Sequence, residues 1–252
     1  MPLKVIGIIP ARYASTRFPG KPLVPILGKT LLQRTFENAK LANNLDQLII
    51  ATDDVRIYDH AKDIGADVVM TSIDCLTGSD RLAEVINQSQ KFSKASVIIN
   101  IQGDEPCIAP QAINDVANIL LENNDAVMST VATKMHSEEE ALNPSIVKCV
   151  LDQKGNALYF SRSLIPGNKT LSFAPPYYRH IGLYAYRPDF LLTYQKLPTT
   201  PLQLAEDLEQ LKVLEHGYRI KVAVTDHISP GVDTPQDIHK IECWLCKQNT
   251  SL

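Results

Sequence analysis

No apolar run in this chain of 252 residues approaches the ~20 residues that a membrane-spanning helix requires. The first apolar stretch, Val5 to Ile9, is cut off by Pro10 and Arg12, too soon for a secretory leader with its longer apolar core and small-residue cleavage site. The expectation is a cytoplasmic protein with no membrane insertion. Cysteine is sparse. The five residues are odd in number and irregularly spaced, which excludes a disulfide framework. Cys243 and Cys246 form a CxxC pair without the strand-to-helix turn of a redox site or two further ligands for zinc, and read as small apolar residues of the last helix. An excess of positive charge is also missing: 25 Lys and Arg stand against 28 Asp and Glu, net charge -3. Nucleic acid is therefore not an expected partner, since duplex binders carry a basic face or tail. Two nucleotide signatures are absent as well. "GKT" at 28–30 ends like a phosphate-binding P-loop, but the glycine that motif needs at position 23 is Leu23. No GxGxxG follows the first strand, which removes the main support for a dinucleotide dehydrogenase.

What is present is an alternation of apolar strands and helical patterns. Strands are predicted at 4–9, 47–52, 66–71, 96–101 and 125–133, with helices at 30–42, 54–64, 81–92 and 110–123 between them. Continuous Val/Ile runs separated by helices indicate an α/β fold with a mostly parallel central sheet flanked by helices. The pattern changes near residue 143. Segments 146–152 and 157–161 read as an antiparallel hairpin about Gly155, 162–178 as loop and 179–186 as a further strand. One helix is expected over 201–216, with Thr200 and Gln203 as a capping box, then a strand at 219–225 and a final helix opened by Thr234, Pro235 and Asp237. The reading is a single domain over 1–252, with a smaller antiparallel β-containing subdomain at about 143–200.

Four stretches carry chemistry. "PARYASTRFPGK" (10–21) gathers Arg12, Arg17 and Lys21 at the carboxyl end of the first strand, where open parallel sheets bind ligands. Arginine forks and a lysine point charge suit phosphate oxygens, so a polyphosphate is the expected ligand. "NIQGDEP" (100–106) puts Asp104 at the tip of a buried strand, a position suited to Mg²⁺, which takes one or two carboxylates and completes its shell from water and phosphate. In "GVDTPQD" (231–237), Asp233 precedes a helix start, where it serves either the helix dipole or a metal. In "RHIGLYAY", strand alternation places His180, Gly182, Tyr184 and Tyr186 on one face, with a gap at Gly182 for a polar ligand. Arg162 and Glu209 are further polar candidates.

In this order, "IIPARYASTRFPGKPL", "INIQGDEP", "ALYFSRSLIP", "RHIGLYAYR", "LEQLKVLEHG" and "GVDTPQD" resemble the 3-deoxy-manno-octulosonate cytidylyltransferase (CMP-Kdo synthetase) family across nearly the whole chain. The resemblance implies a nucleotidyltransferase fold, a homodimer formed with the 143–200 subdomain, and Mg²⁺. It implies that CTP and Kdo are converted to CMP-Kdo and pyrophosphate for lipopolysaccharide biosynthesis. On matching motifs it assigns Arg12, Ser15, Arg17, Lys21, Gly78, Arg81 and Asp104 to the nucleotide. Arg12, Lys21, Asp104 and Asp233 become catalytic residues, and Asp104 and Asp233 the metal carboxylates. Gln102, Arg162, His180, Tyr184 and Glu209 go to the sugar acid, Arg162 and His180 offsetting its carboxylate. "DCLTGSDRLAE" departs from the family pattern at Cys75, Leu76, Thr77, Ser79 and Asp80. The alternatives are a CMP-sialate synthetase, or another sugar-nucleotide synthetase of the same fold, and a catalytically silent nucleotide-binding regulator.

Overall fold

The computed structural model describes residues 4–14, 18–169, 175–227 and 229–249. They divide into two compact units. The first runs through Asn114 and also contains the C-terminal segment 229–249; the second is Asp115–His227.

The first unit is built on parallel strands β1 (Val5–Ala11), β4 (Gln47–Thr52), β5 (Asp67–Met70) and β6 (Val97–Asn100), in the order β6-β1-β4-β5. In register, Ile8 pairs with Asn100, Ala11 with Thr52, and Thr52 with Met70. β6 is buried at every position and β1 at all but Pro10, as strands covered on both faces must be. The covering helices are α1 (Leu31–Ala39), α2 (Val55–Asp63), α3 (Gly78–Asn87), α4 (Gln90–Ser93), the start of α5 (Pro110–Glu122) and α10 (Pro235–Asn249). A small hairpin, β2 (Pro25–Ile26) and β3 (Lys29–Thr30), turns at Leu27 and Gly28, both at positive φ, and feeds α1, whose cap Thr30 accepts from the Gln33 N–H at 3.0 Å. The helix expected over 81–92, with Thr77 and Asp80 as its cap, has that capping box and begins at Gly78, but it breaks before Ser89 caps α4. On α10, Ile241 is buried with Ile26, Leu31, Cys107 and Val232, and Ile238, Trp244 and Leu245 pack against that cluster. Cys243 and Cys246 lie on α10, as expected, and both are exposed.

The second unit contains β7 (Met128–Lys134), β8 (Lys148–Leu151), β9 (Ala157–Ser161), β10 (Tyr178–Tyr186) and β11 (Ile220–Thr225). β11 runs parallel to β7, and β7/β10, β10/β8 and β8/β9 are antiparallel. Helices α6 (Glu138–Leu142), α7 (Pro188–Lys196), α8 (Pro201–Glu206) and α9 (Gln210–Glu215) complete it. The single helix expected over 201–216 is therefore two. Asp207 adopts a left-handed conformation (φ 53) between them. Thr200 makes no side-chain cap to α8. The Glu215 carboxylate, from the far end of α9, accepts the Leu202 N–H at 3.0 Å and the Gln203 N–H at 3.3 Å in its place.

Between Ile181 and Tyr184, β10 advances three residues while β7 advances one. Two extra residues preserve the side-chain alternation, so His180 and Tyr184 still share a face. Among the described residues no helix is long and apolar enough to cross a membrane.

Candidate active site

The first unit assembles charge at the carboxyl ends of its strands. β1 gives way to a loop that ends at Gly20. The N–H of Gly20 donates to the Tyr13 carbonyl at 3.0 Å, and its φ of 70° is one a side chain would strain. Lys21 follows, and its ammonium reaches two partners: the Asp104 carboxylate at 2.6 Å and the Val232 carbonyl at 2.9 Å. Asp104 gets there because the chain leaving β6 runs hard against β1. A Cβ on Gly103 would stand 2.8 Å from the Pro10 carbonyl oxygen, so only glycine fits. The third segment arrives from the C-terminal part of the chain. The Val232 N–H donates to the Asp104 carbonyl at 2.9 Å, and a Cβ on Gly231 would touch the Glu105 carboxylate at 3.1 Å. The backbones carrying Asp104 and Asp233 are thus tied together, which sequence spacing alone left open. Asp233 is exposed and opens α10, donating its N–H to Asp237 Oδ2 at 3.2 Å. The Lys240 ammonium and the bonds from Thr234 hold the Asp237 carboxyl far below the usual range.

Arg12 is exposed, with Nη1 3.5 Å from the Leu76 carbonyl. Ser15 and Arg17 lie outside the described residues. Gly78 is the first residue of α3, and its missing Cβ leaves room for Pro10, which would otherwise be 3.3 Å away. Arg81 is buried. It donates to Asp53 Oδ2 at 2.8 Å and to the Thr71 hydroxyl, tying α3 to the ends of β4 and β5. The departures at Thr77 and Asp80 form the α3 cap, and Cys75 donates to Glu84. Gln102 is half-buried just ahead of Gly103.

In the second unit the polar candidates are wired internally. His180 Nε2 lies 2.9 Å from Thr130 Oγ1, which is itself 2.8 Å from the Leu183 carbonyl. The hydroxyl has one proton and gives it to a carbonyl, so Nε2 carries the ring hydrogen and donates. Burial pushes the His180 pKa down to about 3. The imidazole is therefore neutral, and the expectation that it offsets a substrate carboxylate is corrected. The gap expected at Gly182 is also absent. The rings of His180 and Tyr184 are in contact, their centroids 5.4 Å apart, and Phe160 meets His180 edge-on. Tyr184 donates to Gln210 Oε1 at 3.2 Å, and burial raises its pKa, keeping it a phenol. Arg162 donates its backbone N–H to Glu206 Oε2 and its Nε to the Glu206 carbonyl, both at 2.9 Å. Glu209 is exposed and accepts from the Tyr194 hydroxyl at 3.3 Å.

Three residues escape sequence reasoning. Glu206 binds Ser161 Oγ at 2.6 Å and Gln210 binds Tyr184. Lys148 is fully buried, its ammonium held by the carbonyls of Asn143, Ile146 and Arg162. A lysine in the strand "KCVL" carries no periodic signal of such burial.

Among the described residues no cluster of three or more His, Cys, Asp or Glu could hold a metal. The pair Asp104 and Asp233 is a hard-oxygen set of the kind that suits Mg²⁺ together with water and phosphate oxygens. Asp104 already carries one cationic partner, the Lys21 ammonium.

An α/β fold with a basic loop after its first strand and carboxylates at a neighbouring strand tip is an arrangement that suits a nucleotidyltransferase. Residues 6–220 match the family model described as cytidylyltransferase. The 3-deoxy-manno-octulosonate cytidylyltransferase of Protochlamydia amoebophila is 62% identical, over 99% of this chain and 97% of its own length. The mitochondrial enzyme of that name from Arabidopsis thaliana is 51% identical, over 98% and 85%. The solved structure of CMP:2-keto-3-deoxy-manno-octonic acid synthetase complexed with CTP superposes with a TM-score of 0.91 at 36% identity, covering 97% of this chain and 99% of that one. The chain belongs to the cytidylyltransferase family, and within it to the 3-deoxy-manno-octulosonate cytidylyltransferases.

Proposed function

We propose that this protein transfers the cytidylyl group of CTP to Kdo, releasing pyrophosphate and supplying CMP-Kdo for lipopolysaccharide biosynthesis. The observation that carries the reading is the Lys21 ammonium set between Asp104 and Val232, next to Asp233, at the carboxyl ends of parallel strands. The anomeric hydroxyl of the sugar acid attacks the α-phosphorus of CTP. One P–O bond forms, the bond to the bridging oxygen of pyrophosphate breaks, and the hydroxyl proton leaves to solvent. Such reactions ask the protein for positioning and charge neutralisation rather than covalent help. Arg12, Arg17 and Lys21 neutralise the triphosphate and Ser15 of the same loop offers it a hydroxyl donor; Gly78 and Arg81 shape the nucleotide side. Asp104 and Asp233 would hold Mg²⁺, which when bound would supply a Lewis acid for the α-phosphate.

Gln102, Arg162, Tyr184, Glu209 and a neutral His180 recognise the sugar acid. With His180 uncharged, matching the substrate carboxylate falls to Arg162, and His180 contributes hydrogen bonding and shape. The protein acts in the cytoplasm as a homodimer.

The test is pyrophosphate release from CTP and Mg²⁺ with Kdo or with sialic acid. Release with Kdo alone is expected. Release with sialic acid and none with Kdo makes the protein a CMP-sialate synthetase, and CTP binding without release for either acid makes it a binding protein. Asp104→Ala is expected to abolish release; near wild-type turnover in that variant removes the metal assignment.

A further inference from the structure

Between β5 and α3 the chain runs through an irregular loop, Ser72 to Leu76. Two of its side chains, Ile73 and Leu76, are each 80% exposed, so burial does not hold it. Polar bonds do. At one end Thr71 is gripped by the buried Arg81, and at the other Thr77 is locked to Asp80. Between these anchors Glu84, one and a half turns into α3, reaches back. Its two oxygens accept the Ser72 N–H at 2.9 and 3.0 Å, and Oε2 also accepts the Cys75 thiol at 3.0 Å. Gln88 donates to Oε1 at 3.2 Å and steadies the carboxylate. The last carbonyl of the loop, that of Leu76, faces the Arg12 guanidinium, and Gly78 just beyond it lies against Pro10. The loop is therefore the wall against which the post-β1 segment is set, and Glu84 fixes that wall from behind.

We propose that Glu84 is a positioning residue for nucleotide binding: by clasping Ser72 and Cys75 it holds the loop that orients Arg12 towards the triphosphate. This rests on the assignment of CTP to the post-β1 loop. A carboxylate accepting several bonds pre-organises what it grips, and a pre-organised loop lowers the entropy lost when a ligand binds. Glu84 touches no reacting atom, so its loss shows in nucleotide affinity more than in turnover. Burial alone would raise the Glu84 pKa, but the bonds from Cys75 and Ser72 outweigh it and hold the carboxylate ionised. Burial and the Glu84 bond together push the Cys75 thiol up to about 12, so the thiol is unreactive while the clasp is closed.

The experiment uses full-length protein with Cys243 and Cys246, both exposed, replaced by serine. CTP affinity is measured by calorimetry without a sugar acid, steady-state kinetics separate KM from kcat, and an aromatic disulfide reagent reports on Cys75. In Glu84→Ala the Kd for CTP is expected to rise about tenfold, kcat to fall less than about threefold, and Cys75 labelling to accelerate about tenfold. Glu84→Gln, which keeps the volume and one acceptor oxygen, falls between and controls for folding. An unchanged Kd for CTP in a folded Glu84→Ala protein overturns the proposal, and so does a fall in kcat with Kd intact. A wild-type protein that binds CTP but activates no sugar acid overturns the proposed function, while the Kd comparison still decides the role of Glu84. A wild-type protein that binds no CTP overturns both.

Discussion

In the first unit Lys21, Asp104 and Arg12 lie where solvent still reaches them, whereas in the second the half-buried His180 and Tyr184 are bonded to neighbouring side chains. Lys21 and Asp104 form an ion pair whose carboxylate remains 36% exposed, and Arg12 stands in the open. His180, by contrast, is a neutral imidazole held by Thr130. Tyr184 is a phenol held by Gln210, and the Lys148 ammonium is enclosed by three carbonyls. An ion pair that solvent still reaches contributes little to stability, and under the proposed function Lys21 and Asp104 serve ligand binding instead. A buried, hydrogen-bonded polar group is costly to disturb, so the second unit achieves a fixed shape.

The largest effect is expected where charge is removed. Lys21→Met should lower kcat/KM about a hundred- to a thousand-fold in a pyrophosphate-release assay, with little change in melting temperature. The reverse result, lost stability and retained activity, would make Lys21 a structural residue like Lys148. Next comes Gly103→Ala, which forces a methyl group against the Pro10 carbonyl. It should cost about 2 kcal/mol and lower Tm by about 5 °C in a thermal scan. An unchanged Tm would show that the β6 exit can move and that Asp104 is not rigidly placed.

The second unit is probed by pH. In the unfolded chain His180 takes a proton below about 6.5, but in the folded protein not until about 3. The unfolded state binds more protons in that window, so folding stability falls as pH falls, by about 1.4 kcal/mol per unit from this group. His180→Gln should flatten the slope of urea-derived stability between pH 6.5 and 5. An identical slope would mean that the imidazole is not held neutral. The smallest effect is at the α3 cap, where Thr77→Ala should cost about 1 kcal/mol in the same denaturation experiment.

The parallel strands were legible because burial on both faces leaves mainly apolar side chains in their middles, as in Val97 to Ile99 of β6. Around the candidate site the sequence shows residue types, such as the cations of 10–21, but not the tie between Val232 and Asp104, which joins segments far apart in the chain. Reading failed where a distant side chain overruled a local signal. Thr200 and Gln203 have the spacing of a capping box, but Glu215 takes that place. The helix pattern over 201–216 is continuous, yet the Glu206 carboxylate is claimed by Ser161 and Arg162, and Asp207 turns left-handed beside it. His180 was expected to offset a substrate carboxylate because sequence carries no measure of desolvation, and nothing local in the sequence reveals that Arg81 is buried against Asp53.

One backbone bond, from the Val232 amide to the Asp104 carbonyl, carries a consequence for biogenesis. Residues 229–249 are synthesised after everything they complete. A nascent chain that has emerged only through the second unit has Lys21 and Asp104 in hand but neither the Val232 carbonyl nor Asp233. In that chain Lys21 keeps only its bond to Asp104, and the Asp104 carbonyl is left without the Val232 amide.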